Sequence, residues 1–279
     1  MAIERVVLIE PKAPGLHVFS RWKLPRLGLP MLGAVLRDEL DISPTIFFQQ
    51  ISRLDWDEIG SSDLVGISSI TSTAPEAYRI LRKVKECGDI PVVFGGAHPT
   101  FLPDEALGAG ADFVVRGEGE QAFPELIRYL NGDRAITLQE IKGLSFRAGS
   151  EIHHNPDQPR PGHLSELPWP DLTLIKDFGR CKIIPVVTSR GCPHACNFCS
   201  VTEMFGRRYR FRETEDVIAE LKALCEANPK ASIFFYDDNF TENRARTMEL
   251  LERMLEEGDR KSTRLNSSHI QKSRMPSSA

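Results

Sequence analysis

The chain has 279 residues, 41% hydrophobic and 27% charged, with 35 Lys and Arg against 39 Asp and Glu for a net charge of −4. That is room for one large domain or two ordinary ones, each with apolar residues enough for a core. The slightly acidic balance gives no basis for nucleic acid as the main partner, and no apolar run reaches the length that spans a bilayer.

The opening MAIERVVLIEP enters a strand at once and lacks the basic, apolar and small-residue regions of a signal peptide. A cytoplasmic, reducing location is therefore expected, where cysteines serve as ligands or buried thiols rather than as a disulfide framework. ERVVLIEP reads as a buried strand and LGLPMLGAVLRDEL as an amphipathic helix. TIFFQQ and DLVGISSI read as strands, PEAYRILRKVKECG as a helix ending at glycine, and IPVVFGG as a further strand. PDEALGAG reads as a short helix, ADFVVRG as a strand and EQAFPELIRYLNG as a closing helix. This rhythm predicts an α/β fold, a doubly wound parallel sheet covered by helices on both faces. Such sheets bind ligands beyond the carboxyl ends of their strands. Those ends carry small or polar residues here: Ser68-Ser69-Ile70-Thr71, Gly95-Gly96-Ala97-His98 and Gly117-Glu118-Gly119-Glu120.

Residues 131–180 change character, with one hairpin and then five prolines between Pro156 and Pro170, the composition of an extended linker. His153 and His154 read as polar residues at a strand end, since no other ligand stands at a metal-binding spacing. A second αβ pattern follows: the strand CKIIPVVTSR, the helix ETEDVIAELKALCEAN, the strand SIFFYDDNFT and the helix RARTMELLERMLEEG. Two strands cannot close a barrel, so exposed apolar edges and weak solubility are expected. The last stretch, RKSTRLNSSHIQKSRMPSSA, has no apolar periodicity and reads as translated adapter or vector sequence. The expected organisation is thus residues 1–135 as the first αβ domain, 136–180 as hairpin and linker, 181–258 as the start of a second αβ domain, and 259–279 as an unstructured, foreign tail.

The segment TSRGCPHACNFCS places three of the six cysteines, Cys192, Cys196 and Cys199, within eight positions. A disulfide would leave one thiol over. Zinc could take the three with His194, although zinc sites usually draw on two separated knuckles. A [4Fe–4S] cluster held at three of its four irons is the third reading, and it leaves one iron open for chemistry. Cys181 and Cys225, on a predicted strand and helix, are expected to be buried thiols. In FGRRYRFRE the four arginines are expected to pair with acidic neighbours or bound anions.

The spacing Cys192-x-x-x-Cys196-x-x-Cys199, with Phe198 before the last cysteine and a strand before the loop, resembles the signature of the radical S-adenosylmethionine superfamily. The resemblance implies that the open iron chelates S-adenosylmethionine and that one electron cleaves it to methionine and a 5′-deoxyadenosyl radical, with Phe198 near the adenine. It also implies an external one-electron reductant of flavodoxin or ferredoxin type and a small-molecule substrate. Asp237-Asp238-Asn239 stands where that family often has Gly-Gly-Glu, and Asp238 is the candidate carboxylate for the cationic amine.

Together with VGISSITSTAPEAY, GGAHPTFLPDEAL, RGEGE, MFGRRYRFR and FFYDDNFT, the αβ domain ahead of this loop resembles the cobalamin-binding domain of cobalamin-dependent radical enzymes, over residues 1–258. The resemblance implies a Rossmann-like cobalamin-binding domain followed by the first part of a radical S-adenosylmethionine (β/α) partial barrel. It makes Ser68, Thr71, Gly95, Gly96, His98, Gly117 and Glu118 the candidates for holding cobalamin, and methyl transfer to an unactivated carbon the expected reaction. Many cobalamin proteins carry Asp-x-His-x-x-Gly after the first strand; the nearest histidine here is His17 in GLHVFS, so no histidine ligand to cobalt is expected from this loop. Three alternatives stand beside this reading: a front domain that only scaffolds a radical enzyme of another reaction type, a zinc-stabilised binding module without catalysis, and a methylthiotransferase. The last would need further clustered cysteines ahead of the loop, where only Cys87 and Cys181 occur.

Overall fold

A computed structural model describes residues 2–15 and 23–257. His17 and the 259–279 tail lie outside the described residues. The chain divides into two compact units, one of residues 1–161 and 167–181, the other of residues 162–166 and from Lys182 onward.

The first unit is built on a seven-stranded sheet in the order β2-β1-β3-β4-β5-β6-β7. Its strands are β1 (Val6–Glu10), β2 (Thr45–Phe48), β3 (Leu64–Ser68), β4 (Val92–Gly95), β5 (Phe113–Val115), β6 (Leu144–Ala148) and β7 (Glu151–His154). The first five pair in parallel, with Val7 opposite Thr45 and Val65, Val65 opposite Val92, and Val93 opposite Phe113. Central strands of such a sheet are covered on both faces, which is why β1 is buried at every position and needs the uninterrupted run VVLIE. The helices are α1 (Gly28–Leu40), α2 (Trp56–Gly60), α3 (Ala74–Cys87), α4 (Ala97–Phe101), α5 (Pro103–Gly108) and α6 (Ala122–Leu130). On α3 the apolar residues Ala77, Ile80, Leu81 and Val84 recur at helical spacing and pack with Ile9, Ile67, Phe94 and Val114 of the sheet. Burying each large apolar side chain in this layer contributes about 1.5–3 kcal/mol.

Two features depart from the sequence reading. The hairpin of β6 and β7 joins the first unit's sheet: β6 pairs antiparallel with β5, Phe146 lying opposite Phe113. The sequence reading assigned it to a separate segment starting at residue 136. The reason is edge satisfaction, because β5 would otherwise present a row of unpaired amides and carbonyls. The short helix α2 went unread, although its signal is local: Asp55 accepts hydrogen bonds from the backbone N–H groups of Asp57 and Glu58. At the other end of the sheet residues 167–181 run along β2, where Ile175 bridges Ile46 and the Lys176 amide donates to the Ile46 carbonyl at 2.9 Å.

The second unit contains β8 (Ile183–Val186), β9 (Ser189–Arg190), α7 (Val201–Phe205), β10 (Arg210–Phe211), α8 (Thr214–Ala227), β11 (Ser232–Phe235) and α9 (Arg244–Glu256). β8 and β11 pair in parallel, the start of an α/β barrel-like unit, while β9 and β10 form a two-residue antiparallel pair absent from the sequence reading. Cys181 is not on the strand; it follows a short 3₁₀ turn (Phe178–Arg180) in the first unit, half-buried, with burial pushing its thiol up to about 11. Cys225 lies on α8 as expected but is exposed rather than buried, because the helix turns its other face inward.

Asp63 closes the amino-terminal end of this architecture. Its carboxylate accepts from the backbone N–H groups of Glu4 and Arg5, at 3.1 and 2.8 Å, and from the Arg5 guanidinium at 2.9 Å. The Arg5 hydrogen bond, opposed in part by burial, lowers its pKa to about 2. A carboxylate depressed below its unfolded value stabilises the fold above that value, and the contribution is lost as pH falls from about 4 toward 2. Asp63→Asn is expected to lower the thermal midpoint at pH 7 and to flatten the loss of stability over that acid window, measured by melting at a series of pH values.

Candidate functional site

In the second unit the cysteine loop leaves the carboxyl end of β8, where a parallel strand places its ligand-binding connections. Gly191 makes the departure possible. Its φ is +91°, and a Cβ there would meet the Arg208 carbonyl oxygen at 2.5 Å and that of Gly206 at 2.9 Å. The base of the loop is thereby pinned to the end of α7, and the Cys192 amide donates to the Gly206 carbonyl at 3.1 Å. A turn in which the Cys199 amide donates to the Cys196 carbonyl at 3.0 Å orders the far side. Cys192 and Cys199 are half-buried, Cys196 is exposed, and Phe198 keeps 78% of its surface accessible, an uncommon exposure for phenylalanine.

Beside the loop lies a partly buried polar assembly. The Asp237 carboxylate accepts from the Thr188 backbone N–H at 3.1 Å, the Thr188 hydroxyl at 2.9 Å and the Ser189 hydroxyl. The Arg246 guanidinium sits 4.8 Å over the Phe211 ring and donates to the Thr188 hydroxyl and carbonyl at 3.1 and 3.0 Å. Tyr209 stacks on Phe211 at 4.6 Å and donates to the Asn239 carbonyl. Of the arginine run, buried Arg212 takes the acidic partners its sequence suggested, Asp216 at 2.7 Å and Glu220, while Arg210 donates to the Phe205 carbonyl at 3.0 Å. Asp237 and Asp238 therefore divide their roles. Asp237 is spent on the strand ends, whereas burial, reinforced by the charge of Asp237, raises Asp238 to about 6.

Three thiols on one pinned loop suit an iron–sulfur cluster, which sets a different iron opposite each sulfur. Among the described residues no three His, Cys, Asp or Glu side chains are gathered about a point for a single ion. His194, the candidate fourth zinc ligand, instead directs Nε2 to Glu242 at 2.7 Å. Burial, with added effects from the charges of Glu242, Cys199 and Asp238, pushes the Cys192 thiol above its ordinary value. Metal binding at this position therefore displaces a proton.

In the first unit the structure brings together the turns that follow β3, β4 and β5. The Ser69 amide donates to the Gly95 carbonyl at 2.9 Å and the His98 amide to the Ser69 carbonyl at 3.1 Å. Thr100, missed in the sequence, donates to the Gly96 carbonyl at 2.8 Å and accepts from the Gly117 amide at 3.0 Å. Gly96 has φ +90°, and a Cβ would stand 2.7 Å from the Ser69 carbonyl oxygen, so only glycine lets these turns close on each other. Ser68 is half-buried and Thr71 exposed at this edge, while His98 and Glu118 are buried. The Ser69 hydroxyl is buried with no hydrogen-bond partner among the described residues, in a turn whose backbone is otherwise satisfied. A ring of amides, hydroxyls and glycines at the switch of a 2-1-3-4-5 sheet fits a bulky ligand with a polar tail.

The comparisons agree with this geometry. Residues 22–127 match the B12 binding domain family and residues 186–275 the Radical SAM superfamily. The fold and the two matches define a two-part chain, a cobalamin-binding-type domain followed by a radical S-adenosylmethionine domain. It belongs to the family of radical S-adenosylmethionine proteins with an N-terminal B12 binding domain. An uncharacterized methyltransferase of Pyrococcus horikoshii is 34% identical over 84% of this chain and 53% of its own length. The bacteriochlorophyllide d C-12(1)-methyltransferase of Chlorobaculum tepidum is 31% identical over 95% of this chain and 55% of its own. The chain thus spans about half the length of these curated relatives. Among solved structures, the radical S-adenosylmethionine methyltransferase TsrM of Kitasatospora setae shares the fold with a TM-score of 0.70, at 20% identity over 91% of this chain and 51% of that one. Among the described residues no helix is long and apolar enough to cross a membrane.

Two outcomes follow. Gly191→Ala forces a Cβ against backbone carbonyls in a conformation that costs about 1–3 kcal/mol, and it is expected to lower the melting temperature and the iron retained after reconstitution. Asp238 is a carboxylate raised above its unfolded value, so its effect on stability is harmless below about pH 4 and becomes a loss as pH rises through about 6. Asp238→Asn is expected to raise the melting temperature at pH 8 while leaving it unchanged at pH 4, checked by parallel thermal melts.

Proposed function

We propose that this chain forms the cofactor-binding portion of a cobalamin-dependent radical S-adenosylmethionine enzyme that transfers a methyl group to an unactivated carbon of a small molecule. The observation that carries this reading is the pinned three-thiol loop at the carboxyl end of β8, beside the half-buried carboxylate of Asp238, in one chain with a domain of the B12 binding family. When bound, the [4Fe–4S] cluster supplies the electron that cleaves S-adenosylmethionine, and methylcobalamin supplies the methyl group. Cys192, Cys196 and Cys199 would hold three irons, and Phe198 would cover the adenine. Asp238, ionised above about pH 6, would take the ammonium group of S-adenosylmethionine. Ser68, Thr71, Gly95, Gly96, Gly117 and Glu118 would line the place of the cobalamin tail, with His98 supporting them from behind.

Methylation is favoured over other outcomes because the Pyrococcus and Chlorobaculum relatives are named methyltransferases, and the more distant hopanoid C-2 methylase of Rhodopseudomonas palustris, 26% identical over 84% of this chain, is named a methylase. A second reading, ring closure, has support in an anaerobic magnesium-protoporphyrin IX monomethyl ester cyclase of Synechocystis, 27% identical over 91% of this chain. The exposed Cys196 side of the loop suits electron delivery by an external donor of flavodoxin or ferredoxin type, and a reducing cytoplasm suits the free thiols.

The reading is tested by anaerobic reconstitution with iron and sulfide. About four irons per chain and the brown colour of a cluster are expected. Cys196→Ala is expected to lose both and Cys225→Ala, on the exposed face of α8, to keep them. A colourless, zinc-loaded protein after this treatment overturns the radical reading. Formation of 5′-deoxyadenosine with dithionite, together with retention of hydroxocobalamin on gel filtration, separates the full proposal from a scaffold-only front domain.

A further inference from the structure

The polar group in the first unit whose surroundings are most specific is the His98 side chain, at the start of α4. It is 6% exposed, yet both ring nitrogens have polar neighbours. Nε2 lies 3.3 Å from the Tyr78 hydroxyl and 3.4 Å from a Glu105 carboxylate oxygen, and Nδ1 lies 3.4 Å from the Thr71 hydroxyl. Tyr78 is held in place by stacking on Phe94 at 5.6 Å.

Proton placement follows from counting donors. Burial, together with the charge of Glu105, pushes the Tyr78 phenol above its ordinary value, so it stays protonated. Nε2 faces the Glu105 carboxylate, which can only accept, so in the neutral imidazole it is the nitrogen that carries hydrogen. Nδ1 is left as an acceptor, and the group opposite it is the Thr71 O–H. Thr71 therefore spends its single proton inward. Its oxygen lone pairs are what it presents at the exposed carboxyl edge of the sheet.

We propose that His98 is a positioning residue that orients the Thr71 hydroxyl as an acceptor, so that Thr71 takes a donor group of the bound cofactor, an amide N–H or a ribose hydroxyl, and not its phosphate. This rests on the cobalamin reading above, since cobalamin carries both kinds of donor. The phosphate is left to the backbone amides and to hydroxyls whose protons face outward.

The test is a double-mutant cycle on the full chain, titrated with hydroxocobalamin and followed by tryptophan fluorescence. Thr71→Val and His98→Ala are each expected to weaken binding about tenfold, the size of one net hydrogen bond. The double variant is expected to be no weaker than either single one, because the two residues act as one unit. Thr71→Ser keeps the hydroxyl and is expected to bind as the parent does. His98→Asn keeps a polar acceptor near the Nδ1 position and is expected to recover most of the loss. Should His98→Ala fail to fold, His98→Gln, which lacks an acceptor at the Nδ1 position, replaces it in the cycle. Cobinamide, which keeps the amides but lacks the ribose and phosphate, separates the two donors: a Thr71→Val loss that persists assigns the amide, and one that vanishes assigns the ribose. Additive effects in a chain that binds hydroxocobalamin overturn this inference alone, as does full affinity in Thr71→Val. A parent chain that binds no cobalamin overturns the functional reading and this inference with it.

Discussion

Parallel pairing is the constraint from which both candidate sites follow. In each unit the strands that carry the sites run side by side in one direction, so every β-to-α connection leaves at the same edge. Short chemistry-bearing stretches far apart in sequence are gathered there. In the first unit the turns after β3, β4 and β5 meet at that edge, and in the second the connections after β8 and β11 do so. Regular hydrogen bonding stops where a strand ends, and the freed backbone groups must be satisfied by neighbouring turns, side chains or a ligand.

How those freed groups are satisfied separates rigid parts from receptive ones. Asp237 absorbs three donors from Thr188 and Ser189, and Arg246 takes up the Thr188 carbonyl, so the platform beside the cysteine loop is internally complete. Asp238, one residue on, is left as a partly buried carboxylate whose charge is disfavoured, a state a cationic ligand would relieve. The first unit repeats the contrast. Thr100 and Gly96 close the turns on one another, while the Ser69 hydroxyl stays unpaired among the described residues. An orphaned hydroxyl costs about 1–3 kcal/mol, a cost tolerated where the surrounding turns are held in place by other bonds.

Much of this was legible from residues close together in the chain. Uninterrupted apolar runs such as VVLIE marked the buried strands, and the spacing of Ala77, Ile80, Leu81 and Val84 marked α3. Cys192, Cys196 and Cys199 announced themselves by spacing alone. What escaped was long-range. The hairpin of β6 and β7 looks the same in sequence whether it stands apart or extends a sheet, and only the open edge of β5 determined its place. Gly191 had a readable neighbour in Cys192, but its need for glycine comes from the carbonyls of Gly206 and Arg208, more than a dozen residues onward. The thiol of Cys225 could not be called exposed or buried until the inward face of α8 was set by packing.

Readable in the chain alone were the class of fold, the close spacing of the three loop cysteines and the glycine-rich and hydroxyl-bearing strand ends. These rest on periodicity and on spacings of a few residues, which local stereochemistry translates directly into structure. Long-range packing set which of two adjacent aspartates is bound into the framework, that Thr71 stands 3.4 Å from the His98 ring, and that His98 is enclosed by Tyr78 and Glu105. Those outcomes depend on hydrogen-bond partners contributed by other elements, and a donor's partner is a property of three-dimensional proximity that no short stretch of chain contains.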